Sequence, residues 1–375
     1  MAINIQKMEE DFNAFFDKYK SCDFEGATDE EDYVADANGI LARYESAVMS
    51  EEEKSALSKQ CVHLGCKIMM YTDNVNGPEY YHKAIRLQPD SYDVHWGYYT
   101  TLEEIVENEE YATPELIQDA IECLTFCIEY CDTPELCEKY CVRNRYFDLG
   151  RTYMVAGEFT KAKECAQKSL EIGFTDYADK LFKRAEKLVQ MNEDIDNFYK
   201  NYRFANLKTK SYEVEYISIA DKILGEYESV VRFKAEKQVL SKFCGTVGCG
   251  LMVYTYNLTD GRRFYHQSIA LQPDSYSAYW GYYTSLEEIV EDEKQATPEL
   301  IQDAIKCLTY CIDYMSTPEL RAECYIQYRY YELARVYMAA KDYVKAKEYA
   351  ERSLEIEWDE DVEAFIEKVS ALMEM

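Results

Sequence analysis

A stretch of 57 residues occurs twice in this chain, and the repetition limits the folds open to it more than any single motif does. Residues 80–136 align without a gap to 264–320, with 41 identities. LQPDSY recurs at Leu87–Tyr92 and Leu271–Tyr276, WGYYT at Trp96–Thr100 and Trp280–Thr284, and ATPELIQDAI at Ala112–Ile121 and Ala296–Ile305. With one residue inserted before Gly261, the match reaches back to Ile40 and Ile223, more weakly to Met8 and Met191, and forward to the C-terminus. The chain therefore reads as two blocks, residues 1–190 and 191–375, with a seam near Gln190. No Pro/Gly/Ser-rich linker marks the seam, so the expectation is blocks that abut as one solenoid or dock about a pseudo-symmetry axis, not blocks on a tether.

Both blocks read as helical. Fourteen Gly and seven Pro among 375 residues are too few for a β fold with many tight turns. Thr113-Pro114-Glu115, Thr133-Pro134-Glu135, Thr297-Pro298-Glu299 and Thr317-Pro318-Glu319 each set a cap hydroxyl, then Pro at the first helical position, then an acid at the positive dipole end. Ser50 and Glu53 have capping-box spacing. After Thr113, an apolar stripe runs through Leu116, Ala120, Ile121, Leu124, Cys127 and Ile128 at helical period. The 36 tyrosines suit thin two-layer packing, because the ring can be buried while the hydroxyl stays wet.

Within each block a shorter helix-turn-helix period appears. Tyr146-x2-Leu149-Gly150-x2-Tyr153 is followed by Gly157, Phe159, Ala162 and Ala166; the second copy has Tyr330, Leu333, Ala334, Tyr337, Tyr343, Ala346 and Ala350. This pattern resembles the tetratricopeptide repeat (TPR). Looser units begin at Cys61-x2-Leu64-Gly65-x2-Ile68 and at Trp96. The resemblance implies an all-α, TPR-like solenoid of antiparallel hairpins, about three per block, whose usual work is binding proteins or peptides without catalysis.

The formal charge is −30, and residues 101–140 hold 12 acids against one base. Such a field repels nucleic acid and anionic lipid and favours a basic partner. The alternative is an acidic nucleic-acid mimic that inhibits a DNA- or RNA-binding protein, its carboxylates standing in for phosphates. The opening MAINIQKMEEDFNAFFDKYK lacks an unbroken apolar core, and no later run is long enough to span a bilayer, so a cytoplasmic chain is expected. The acidic first 40 residues hold no basic recognition helix, which disfavours a DNA-binding head. Phe12, Phe15, Phe16 and Tyr19 form an amphipathic capping helix or, as the alternative, a homodimer contact.

No cofactor is implied, and no phosphate loop, GxSxG or HExxH points to an enzyme. Fourteen cysteines, including Cys123, Cys127 and Cys131 stacked on one helix, lack the turn geometry of zinc sites and read as reduced core thiols. Many exchange with packing residues between blocks: Cys131 with Met315, Cys141 with Tyr325 and Cys165 with Tyr349. His82 and His266 read as packing or capping residues.

What remains is the repeated WGYYTxLEE segment. If Pro89 ends one hairpin, TPR register turns Asp93, Trp96, Thr100, Glu103 and Glu104 toward the groove lined by first helices, and in the second block Trp280, Thr284, Glu287 and Glu288. An indole beside glutamates suits a basic, partly apolar segment. The competing reading wedges both tryptophans between hairpins and leaves the glutamates merely solvated.

Overall fold

A computed structural model describes residues 4–20, 27–45, 50–71, 77–108, 111–202, 207, 209–315, 317, 320–321 and 325–374. Among them the regular structure is helical. In chain order the helices are α1 (Ile5–Lys18), α2 (Ala27–Glu45), α3 (Glu51–Tyr71), α4 (Gly77–Leu87), α5 (Tyr92–Glu107), α6 (Pro114–Glu129), the short α7 (Pro134–Lys139), α8 (Val142–Val155), α9 (Phe159–Ile172) and α10 (Asp176–Asn201). There follow α11 (Lys210–Tyr227), α12 (Lys234–Cys249), α13 (Leu258–Leu271), α14 (Tyr276–Glu291), α15 (Pro298–Tyr314), α16 (Ile326–Ala339), α17 (Tyr343–Ile356) and α18 (Glu360–Met373). The chain divides into two compact units, Met1–Val189 and Gln190–Met375.

The helix ends form where their chemistry requires. Thr113, Thr133 and Thr297 accept from the backbone N–H three residues on, each with Pro opening the helix. Thr317 accepts likewise from Leu320, while Pro318 and Glu319 lie outside the described residues. Each such cap contributes about 1 kcal/mol. Ser50 and Glu53 satisfy each other's backbone N–H groups at 3.3 and 2.6 Å, completing a capping box.

In the first unit three antiparallel hairpins stack: α3/α4, α5/α6 and α8/α9. The first helices α3, α5 and α8 touch in sequence along one side. Tyr80, Tyr98, Leu102, Leu124 and Phe159 fill the layer between, all essentially inaccessible to solvent. Backbones approach closely at Gly65, where a Cβ would sit 2.7 Å from the Tyr81 ring and 3.1 Å from the Gly77 carbonyl. At Gly150 a Cβ would meet the Ala162 carbonyl at 3.3 Å. Phe15 of α1 and the capping Tyr19 bury against Tyr33 of α2, with Phe12 in the same cluster.

The second unit repeats the plan with α12/α13, α14/α15 and α16/α17. Phe198, Tyr216 and Phe243 cluster at its start, and Val362, Phe365 and Val369 of α18 close its end. The inserted residue surfaces where α12 loosens into a π-turn over Gly250–Tyr254. There the Thr255 hydroxyl and the Asn257 N–H both donate to the Leu251 carbonyl, at 2.7 and 3.0 Å, and Tyr256 takes a left-handed conformation (φ 53°). Thus the segments Tyr146–Ala166 and Tyr330–Ala350 form matching hairpins, and the fold is an all-α stack of TPR-like units.

Most described cysteines are core residues, among them Cys61, Cys123, Cys127, Cys244 and Cys307. Burial pushes the thiols of Cys61 and Cys127 up to about 12. Cys141 departs from that expectation: it is exposed, in a left-handed conformation (φ 50°) before α8, where Tyr325 (φ 52°) stands before α16. This corner holds its residue outside the core, whatever its hydrophobicity.

Candidate functional site

The WGYYTxLEE segments lie on α5 and α14, and helical period divides their side chains between two environments. Tyr98 and Tyr99 point into the core, as do Tyr282 and Tyr283. The opposite side of α5 carries Asp93, Thr100 and Glu104, all exposed; that of α14 carries Thr284 and Glu288. Thr100 and Thr284 donate back to the carbonyls of Gly97 and Gly281, at 2.9 and 3.0 Å. Asp93, Glu104 and Glu288 form no ion pair among the described residues.

The tryptophans sit at the border of these environments. Trp96 is half-buried against Tyr99, and the Arg145 guanidinium of α8 lies 3.3 Å from its ring centroid. Trp280 meets Arg329 of α16 in the same way, at 3.6 Å. Each arginine also pairs along its own helix, Arg145 with Asp148 at 3.0 Å and Arg329 with Glu332 at 2.6 Å. Each indole thus carries a cation–π contact supplied by its own chain. Burial pushes the Asp148 carboxyl up to about 6, against the pull of Arg145, and likewise raises Glu332.

Glu103 and Glu287 are also engaged. Arg151 pairs with Glu103 at 3.2 Å and with Glu107; Arg335 pairs with Glu287 at 3.1 Å and with Glu291. These acids are more than a third exposed, so each pair contributes at most about 1 kcal/mol. The structure therefore separates the nine sequence-selected residues. Trp96, Glu103, Trp280 and Glu287 touch intramolecular arginines, while Asp93, Thr100, Glu104, Thr284 and Glu288 face outward.

In the second unit the outward residues border a cavity of about 370 Å³. Its lining includes Thr284, Glu288 and Asp292 together with Met252 and Val253 of the π-turn and Tyr256 just after it. Tyr256 is 65% exposed and shares this lining with Glu288, which forms no ion pair among the described residues. Asp292 accepts from the Lys294 N–H and the Gln295 amide, at 2.9 and 2.8 Å, which holds its carboxyl below the usual range. Sequence reasoning missed Tyr256. Its signal was the inserted residue, because insertions into a packed helix often end in a π-turn at a surface used for binding.

The two histidines join hairpins. His82 Nε2 lies 3.0 Å from Asp119, which also accepts from Tyr98 at 2.6 Å. His266 and Tyr282 meet Asp303 at 3.1 and 2.7 Å, with Arg262 added at 2.6 Å. The Asp119 bond raises the His82 pKa. Burial opposes ionisation of Asp303, but donation from His266, Arg262 and Tyr282 overcomes it and holds the carboxyl well below its usual range. Among the described residues no cluster of three His, Cys, Asp or Glu side chains is placed to hold a metal ion. No helix there is long and apolar enough to cross a membrane.

Comparison with known proteins bears on the hairpins themselves. Residues 144–172 and 328–357 match the family described as tetratricopeptide repeat, and they coincide with α8/α9 and α16/α17. No curated protein matches the chain in sequence. Among solved structures, the TPR domain of P58(IPK) is 13% identical, covering 84% of this chain and 98% of its own, with a TM-score of 0.31. Yeast Tom70 is 12% identical, covering 99% of this chain and 65% of its own, with a TM-score of 0.30. A signal transduction ATPase with a tetratricopeptide repeat sensor, from Pyrococcus horikoshii, is 15% identical over 93% of this chain and 50% of its own, at 0.32.

Proposed function

Because this chain is built of TPR-like helical repeats, we propose that it is a non-catalytic, cytoplasmic scaffold that binds a basic segment of another protein along the side lined by α3, α5 and α8 in the first unit and by α12, α14 and α16 in the second. The observation that carries this reading is the state of the carboxylates there. Glu103 and Glu287 are already matched by arginines, but Asp93, Glu104 and Glu288 are exposed and form no ion pair among the described residues, and Glu288 lines one cavity together with the exposed Tyr256. A lysine or arginine entering that cavity gains a carboxylate and an aromatic face together. A chain of net charge −30 adds long-range attraction, which raises the rate of encounter more than the final affinity.

The site residues are therefore narrowed to Asp93, Thr100 and Glu104 in the first unit and Thr284 and Glu288 in the second. Trp96 and Trp280 support them from behind as packing residues. The test is an array of arbitrary peptides, ranging from strongly basic to strongly acidic, probed with the full chain and with Glu104→Lys and Glu288→Lys variants. Basic peptides are expected to bind, each reversal to weaken them by about tenfold, and binding to survive in part at about 0.5 M salt. Retention independent of peptide charge, or unchanged by both reversals, defeats the proposal. Total loss at moderate salt together with competition by single-stranded DNA for the captured protein favours the nucleic-acid mimic instead.

A further inference from the structure

The two units differ in sequence where their first two hairpins meet, and in the second unit a further cavity lies there. Between α12 and α14 lies a cavity of about 540 Å³, floored by Ser241, Gly245, Ser268 and Tyr265 and bordered by Ala278 and Gly281. In the first unit three of the corresponding residues are bulkier or more acidic. Val62 stands at the place of Gly245, Val94 at that of Ala278, and Asp93 at that of Ser277. The packing follows. A Cβ placed on Gly97 would meet the Val62 side chain at 3.8 Å, whereas one on Gly281 would meet nothing within 4 Å. The valine side chain that approaches Gly97 in the first unit has no counterpart near Gly281 in the second.

The floor is fixed by its own hydrogen bonds. Ser241 donates to the Ser268 carbonyl at 2.8 Å, and the Tyr265 hydroxyl donates to the Gly281 carbonyl at 2.9 Å. Such a preformed hollow loses little entropy on filling. No carboxylate lines it, and its one charged residue is the exposed Lys242, which makes no ion pair among the described residues. A basic side chain is therefore repelled locally, and an anionic one is repelled by the field of the whole chain. An uncharged side chain remains. The walls of Tyr265, Cys249, Ala278 and glycine backbone suit an aromatic ring, with the serine hydroxyls in reach of a polar tip.

Thr284 borders both this cavity and the one beside Glu288, so the two are neighbours along α14. From Gly281 to Glu288 the helix advances about 10 Å, a span of about three residues of extended peptide. We infer that the second unit is a two-part peptide site: a lysine or arginine sits between Glu288 and Tyr256, and an aromatic residue about three positions away enters the cavity over Gly245 and Gly281. This rests on the basic-segment reading above and adds the second anchor.

The test is selection of a phage-displayed random peptide library on the full chain, followed by fluorescence anisotropy with the enriched peptides. Two variants fill the cavity from opposite sides: Gly245→Val with Ser268→Ala, which copies the first unit, and Gly281→Leu, whose side chain starts in open space. Circular dichroism confirms that each folds. Enriched peptides should pair a basic with an aromatic residue at about that spacing. Both variants should weaken them at least tenfold. Basic peptides without an aromatic residue, indifferent to both fillings but sensitive to Glu288→Lys, overturn the second anchor and leave the basic-segment reading standing. Peptides indifferent to Glu288→Lys as well, or no enrichment, overturn both.

Discussion

The two units share WGYYTxLEE letter for letter, yet they present different surfaces. Around it the first unit sets Val62, Val94 and Asp93, bulkier or acidic residues; the second sets Gly245, Ala278 and Ser277, which line a cavity. Most of the identical letters hold hairpins together, while the shared threonine and second glutamate face outward in both units. The substituted residues around them set the difference between the two surfaces. A copied block keeps its internal contacts because each depends on several residues at once, whereas the outer residues change one at a time.

The largest expected contrast lies in the half-buried aspartates that join hairpins. Asp303→Ala strands Arg262, His266 and Tyr282, whereas Asp119→Ala strands only His82 and Tyr98. Urea denaturation should show losses of about 3 and about 2 kcal/mol respectively. Equal losses would mean that Arg262 adds nothing and that the two nodes are alike.

A smaller contrast concerns pH. The Asp148 carboxyl rises from its ordinary 3.8 to about 6, so between those values the folded chain binds more protons than the unfolded one. Stability therefore falls as pH rises through that window. Asp148→Asn should remove about 2 kcal/mol of this decline between pH 4 and 7, measured by denaturant titration at each pH. Glu332 is raised too, but its longer side chain reaches Arg329 at 2.6 Å where Asp148 holds Arg145 at 3.0 Å. Glu332→Gln should then give the smaller change; the reverse order would break this explanation.

The smallest effect is a gain. Gly281→Ala places a methyl in open space within a helix, so thermal unfolding should show about 0.5–1 kcal/mol of added stability. A loss would mean that the cavity is narrower than its lining implies.

The hairpins were legible because their signals are local: threonine–proline caps, a stripe at helical period, and small residues at Gly150 and Ala162 where backbones meet. The surface was legible in half. Register alone places Asp93, Thr100, Glu104, Thr284 and Glu288 outward, but it cannot say that Arg145 and Arg329, 49 residues beyond Trp96 and Trp280, lie over the indoles. Such a pairing is decided by how one hairpin docks on the next. Its trace in the sequence was the survival of Arg145, Arg151, Arg329 and Arg335 in both blocks amid changing neighbours. The cavity over Gly245 left only an absence, a valine replaced by glycine, which gains meaning once the helix facing it is known.

The guanidinium over each indole also turns the chain into its own optical gauge. Trp358 is 67% exposed and reports bulk solvent, while Trp96 and Trp280 each sense whether the third hairpin of their unit is seated on the second. When α8 or α16 lifts away, the cation leaves the ring and water replaces it, so emission reddens before the helices melt. With Trp358 replaced by Phe, the remaining two signals would let the undocking of each unit be timed inside the intact protein.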